Sequence, residues 1–167
     1  DVNSGAMVVG SDGNGTLTVS NGGMVNLNSS DENGIGLYLG QNAGSNGSVL
    51  VTGVNSDSQS GLYMYGGDLV VGLVGNGSLT VANGAFMGVG EDTGPGIAAV
   101  IGADAGSYGN VTITDVEANS TTQTEMDISD GALAVGYSGN GALTVANGGY
   151  LDSYGNDSNS IGLYLGY

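Results

Sequence analysis

The chain of 167 residues offers a narrow set of chemical groups. It carries 16 aspartates and glutamates and no Lys, Arg, His or Cys, for a formal charge of −16. Nucleophilic triads draw their base or thiolate from His, Lys or Cys, and none of these is present. Carboxylates remain. In pairs they can cleave glycosidic bonds. Grouped with amide and carbonyl oxygens they can hold Ca²⁺, which takes about six to eight oxygen ligands. The acids that cluster are Asp31 with Glu32, Glu91 with Asp92, and Asp157. They lie in the segments 28–33, 90–94 and 156–159, at the same place in alternate units of a repeat. These five residues are the candidate Ca²⁺ ligands, and Ca²⁺ is the one cofactor the sequence suggests. The segments match neither an EF-hand loop nor the Gly-rich nonapeptide of calcium β-rolls. Solvated acidic turns are the alternative reading. Trp is absent, and no cleft of paired acids with sugar-stacking Trp is visible, so the expectation is a non-catalytic chain.

Charge also limits the partners. Phosphate binding draws on Lys and Arg, so nucleic acid is excluded as a direct partner. An anionic membrane surface repels the chain for the same reason. Side-chain salt bridges cannot form, and stability must come from backbone hydrogen bonds and apolar burial. No segment reaches the length of a transmembrane helix.

The elements that hold these acids are set by an internal repeat. A short apolar run ending in Gly recurs at Met7–Gly10, Leu37–Gly40, Leu69–Gly72, Ala99–Gly102, Leu133–Gly136 and Leu163–Gly166. Its glycines are separated by 30, 32, 30, 34 and 30 residues. A second run follows each: Leu17-Thr18-Val19, Val49-Leu50-Val51, Leu79-Thr80-Val81, Val111-Thr112-Ile113 and Leu143-Thr144-Val145. A third, weaker run holds Val25 and Leu27, Leu62 and Met64, Met87 and Val89, Met126 and Ile128, and Leu151. Within each run the period is two, the strand signature. Residues 127–167 align with 1–41 without a gap, about half of them identical.

Three short strands per unit of roughly 30–34 residues describe one coil of a three-sided solenoid. The predicted fold is all-β: a parallel β-helix of about five coils, starting near 6, 36, 68, 98 and 132, with a partial coil from 162. The whole of 1–167 reads as one continuous solenoid segment of a longer array. Asn-Gly pairs at Gly22, Gly84 and Gly148 suit corners of positive φ. Two outward stripes are expected. One is rather apolar, with Val8, Tyr38, Val70, Val100, Ala134 and Tyr164; it packs either under the chain's own loops or against another surface. The other holds Thr18, Leu50, Thr80, Thr112 and Thr144. Asn-x-Ser/Thr sequons, as at Asn14 and Asn46, read as turn asparagines before strand hydroxyls.

The phrase Val-Gly-x-x-Gly-Asn-Gly-x-Leu-Thr-Val-x-Asn-Gly-Gly, clearest at 9–23, 71–84 and 135–149, resembles the repeats of autotransporter (type V secretion) passenger domains. Similar repeats occur in bacterial surface proteins with PEP-CTERM sorting signals. The resemblance implies a right-handed parallel β-helix exported to the bacterial cell surface, serving adhesion or aggregation or acting as a stalk. The expected function is therefore that of a structural, extracellular solenoid: a stalk, adhesin or filament segment. Its partners would be copies of itself stacked end to end, neighbouring coils of the same chain, or cell-surface glycans. A Ca²⁺- or glycan-binding module acting through the acidic loop tips is the rival expectation.

Overall fold

The computed structural model describes residues 1–28, 30–31, 33–90, 96–115 and 122–167. Among these residues, sixteen strands follow one another in threes. The first coil holds β1 (Met7–Val9), β2 (Asn14–Ser20) and β3 (Met24–Leu27). The second holds β4 (Ile35–Leu39), β5 (Asn46–Thr52) and β6 (Gly61–Met64). The third holds β7 (Asp68–Val71), β8 (Asn76–Ala82) and β9 (Phe86–Val89). The fourth holds β10 (Ile97–Ile101), β11 (Tyr108–Thr114) and β12 (Glu125–Ile128). The fifth holds β13 (Ala132–Val135), β14 (Asn140–Ala146) and β15 (Tyr150–Ser153), and β16 (Leu163–Leu165) opens a sixth.

Every third strand joins the same sheet. The first sheet runs β1-β4-β7-β10-β13-β16, the second β2-β5-β8-β11-β14 and the third β3-β6-β9-β12-β15. Neighbours in each sheet pair in parallel, one coil apart. The protein is thus a three-sided parallel β-solenoid, as the repeat predicts. Two strands of the first sheet begin with a bulge, at Ile35/Leu37 and Ile97/Ala99.

The register stacks like on like. Leu17, Val49, Leu79, Val111 and Leu143 form one inward column of the second sheet. Val25, Leu62, Met87, Met126 and Leu151 form its counterpart in the third. Leu37, Leu69, Leu79, Met87, Met126 and Leu133 are sealed from solvent in a single core. Each such side chain contributes about 1.5–3 kcal/mol of transfer free energy, realised only because the adjacent coils close over it.

The corners need their particular residues. In 20–23, 82–85 and 146–149 a tight turn is closed by a backbone bond, as from the Gly23 N–H to the Ser20 carbonyl at 3.0 Å. Both central residues have positive φ: Asn21 (55°) with Gly22 (75°), Asn83 (55°) with Gly84 (78°), and Asn147 (51°) with Gly148 (84°). Asn and Gly tolerate that region best. The glycines that end the first-sheet strands also have positive φ, and a Cβ on Gly40 would run into the backbone of Asn76 in the next coil.

The apolar outward stripe of the first sheet is covered in its middle by the chain itself. Tyr38 and Val70 are buried with Ala103, and Ala6, Ile35, Leu73 and Val100 pack against them. Ala134 is fully buried as well, while Val8 stays 39% exposed.

Candidate functional site

Asp31 and Asp157 close turns with their carboxylates. Asp31 Oδ1 accepts the backbone N–H of Asn33 at 2.8 Å and of Ile35 at 3.0 Å, and Oδ2 accepts the Tyr38 hydroxyl at 2.5 Å. Asp157 repeats the pattern with Asn159 (2.8 Å), Ile161 (3.0 Å) and the Tyr164 hydroxyl. Although burial opposes it, these donors hold Asp31 below the usual carboxylate range. The Tyr164 hydroxyl and the Ile161 amide bring Asp157 down to about 2. Both of these candidate Ca²⁺ ligands thus accept hydrogen bonds from the chain, and each clasp holds a tyrosine of the apolar stripe, Tyr38 or Tyr164. Glu32, Glu91 and Asp92 lie outside the described residues, as does Glu117.

Among the described residues, the acids that converge are Glu125, Asp127 and Asp152, with one carboxylate oxygen from each within 4.8 Å of the others. Local geometry explains the meeting. Met126 and Ile128 point inward, so Glu125 and Asp127 stand outward on the same face of β12. Asp127 pairs in register with Asp152 of β15. Parallel in-register stacking therefore sets like charges side by side, an unfavourable pairing. Burial, then the charges of Asp127 and Asp152, push Glu125 above the usual carboxylate range. Burial and the Asp152 charge raise Asp127, against a hydrogen bond with Glu125. Asp127 Oδ1 is buried without a hydrogen-bond partner. Beyond Asp152, that carboxylate raises Tyr154 to about 12 by accepting its hydroxyl and by its charge.

On the other side of β12 the same face turns aromatic. Asp127 is in register with Gly88 of β9, and Gly88 with Tyr63 of β6. The Tyr63 ring stacks on Phe86 at 5.2 Å and on Tyr65 at 6.2 Å, with interplanar angles of 29° and 10°. The rings, Gly88, Gly90, Asp127 and Ser129 line a notch of about 300 Å³, and the Phe86 ring lies over Gly88, where a Cβ would meet it at 3.0 Å.

The outer face of the second sheet carries a different polar set. Asn14, Asn46 and Asn76 stack in register, and each side-chain amide donates to the carbonyl oxygen of the one before, at 2.8 Å and 2.9 Å. Tyr108 ends the run in the fourth coil.

Sequence reasoning looked for acids where they were dense along the chain, at the loop tips. The convergent trio is dispersed, and its signal was the alternation: aligning Met126 with Leu151 stacks Asp127 on Asp152. Chemically the trio offers oxygen ligands of the kind hard cations take, and the pairing of Glu125 with Asp127 lets the two share a proton. In comparison with known proteins, no family model, curated sequence or solved structure matches the chain.

Proposed function

We propose that the chain is a structural segment of an extracellular, cell-surface solenoid in a bacterium: a non-catalytic stalk, adhesin or filament rod. The observation that supports this most is the register. Each strand of the three sheets pairs with its equivalent one coil on, so the interaction that joins two coils is repeated and has no intrinsic limit in number. Composition supports the same reading. A surface with 16 acids and no basic side chain repels other copies laterally, which leaves stacking along the axis as the favoured direction of growth. The absence of Cys, His and Lys leaves no Ser–His or Cys–His pair and no Lys nucleophile to support a covalent mechanism of those kinds. The resemblance of the repeat to autotransporter and PEP-CTERM-associated surface proteins supports the extracellular part of this reading.

The test is negative-stain electron microscopy of the purified chain, in Ca²⁺ and in EDTA. Fibres of uniform width in both buffers are the expected result for axial stacking between copies. Fibres in Ca²⁺ alone would assign the carboxylates a bridging role between copies. Short particles in both would show that the coils stack only within a chain, and the filament form of the proposal would fall.

A further inference from the structure

The notch on the third sheet has two unlike walls. Tyr63 and Tyr65 of β6, with Phe86 of β9, make one. Asp127 and Ser129 stand on the other side of the Gly88–Gly90 floor. The floor belongs to the strand between, so the backbones of the two walls are two strand spacings apart, about 9.6 Å. The Phe86 ring takes up part of that gap over Gly88, and the notch of about 300 Å³ that remains admits a small organic group.

Three observations specify what would sit there. The faces of stacked aromatic rings attract a cation, and more strongly one that sheds little water. Asp127 brings a carboxylate to the lining of the notch, next to Glu125 and Asp152. The chain has no Lys, Arg or His of its own to supply the positive charge. A bare divalent ion would be served by the carboxylates alone and would leave the ring wall without a role. A carbon-bearing ammonium uses both walls at once.

We propose that this notch binds an organic ammonium group, held over the Tyr63, Tyr65 and Phe86 rings with Asp127 as its counter-ion. The group can come from a quaternary choline-type compound or from the amine of an amino sugar; the shared chemistry is an alkyl-substituted ammonium. The inference stands on the geometry of the third sheet and does not depend on whether the rod forms filaments.

The test is calorimetric titration of the intact chain with choline, tetramethylammonium, glucosamine and CaCl₂ at constant ionic strength. Tyrosine fluorescence provides a second signal, because the chain has nine Tyr and no Trp. Saturable binding of one ammonium per chain is expected. It should weaken about tenfold in Tyr65→Ala and in Asp127→Asn. Tyr65 is 44% exposed, so its loss leaves the core intact, and an unchanged far-UV spectrum checks this. Tighter binding of glucosamine than of choline would support the amino-sugar source, and the reverse the quaternary one. A linear response that Tyr65→Ala does not alter would overturn the proposal in favour of charge screening. Saturation by Ca²⁺ with no response to any ammonium would overturn it in favour of a metal site.

Discussion

The outer faces of the second and third sheets present the same geometry with opposite consequences. Both stack polar side chains one coil apart. On the second sheet the stacked groups are the amides of Asn14, Asn46 and Asn76; Asn46 donates to Asn14 and Asn76 to Asn46. On the third they are the carboxylates of Asp127 and Asp152 with Glu125 beside them, and burial and mutual charge raise Glu125 and Asp127. An amide carries a donor and an acceptor, so a column of identical amides is self-complementary. An ionised carboxylate only accepts, so a column of them requires a proton or an external cation. In a solenoid, where register repeats every side chain's surroundings, this one property separates a self-sufficient face from one that calls for a partner.

Three substitutions break or sharpen the comparison. The largest effect should come from the core that both faces share. Leu79→Ala removes a sealed side chain from the inward column beneath the amide face, and should cost about 2–5 kcal/mol in urea unfolding. Loss confined to the second sheet, with the third still protected in hydrogen exchange, would contradict a single cooperative core.

An intermediate effect is expected from turning the amide column into an acid one. Asn46→Asp keeps an acceptor for the Asn76 amide but loses the donor to Asn14. It should cost about 1 kcal/mol at neutral pH. The deficit should shrink on acidification, because a protonated Asp regains a donor. An equal deficit at pH 3 and pH 7 would show that the ladder bond is not what was lost.

The smallest effect is the converse change. Asp127→Asn removes one charge from the trio and should stabilise the fold by less than about 1 kcal/mol at neutral pH. The sign follows from linkage. Folding raises Asp127, so the native state holds a proton where the unfolded chain has released it, and stability falls as pH rises through that window. The gain in Asp127→Asn should therefore appear above the window and vanish below it. Chemical denaturation at several pH values reads both ends, and a gain that persists in acid would sink the electrostatic account.

Much of the fold is readable from spacing alone because a solenoid makes its contacts between residues one period apart. Leu37 lies over Leu69 for the same reason that Gly40 lies 32 residues before Gly72. The corners are equally legible, since Asn21-Gly22 and its repeats require positive φ. The site is less so. Asp31 and Asp157 are conspicuous in the chain, yet their turns fold back so that backbone amides and a tyrosine hydroxyl occupy the carboxylate. Those bonds depend on the path of the loop, which periodicity does not encode.

What the sequence determined by itself is the translation: strand, corner and column recur because apolar alternation and Asn-Gly chemistry recur at a fixed interval. It also determined the sign of any partner, because a chain without a basic residue must find positive charge elsewhere. Only the tertiary structure decided which non-repeating side chains meet. Phe86 and Gly88 differ from their equivalents in both neighbouring coils, and Asp127 differs from Gly88 while matching Asp152. Their juxtaposition across three coils arises because loops of unequal length, between residues about 25–40 apart, still return each strand to the same register.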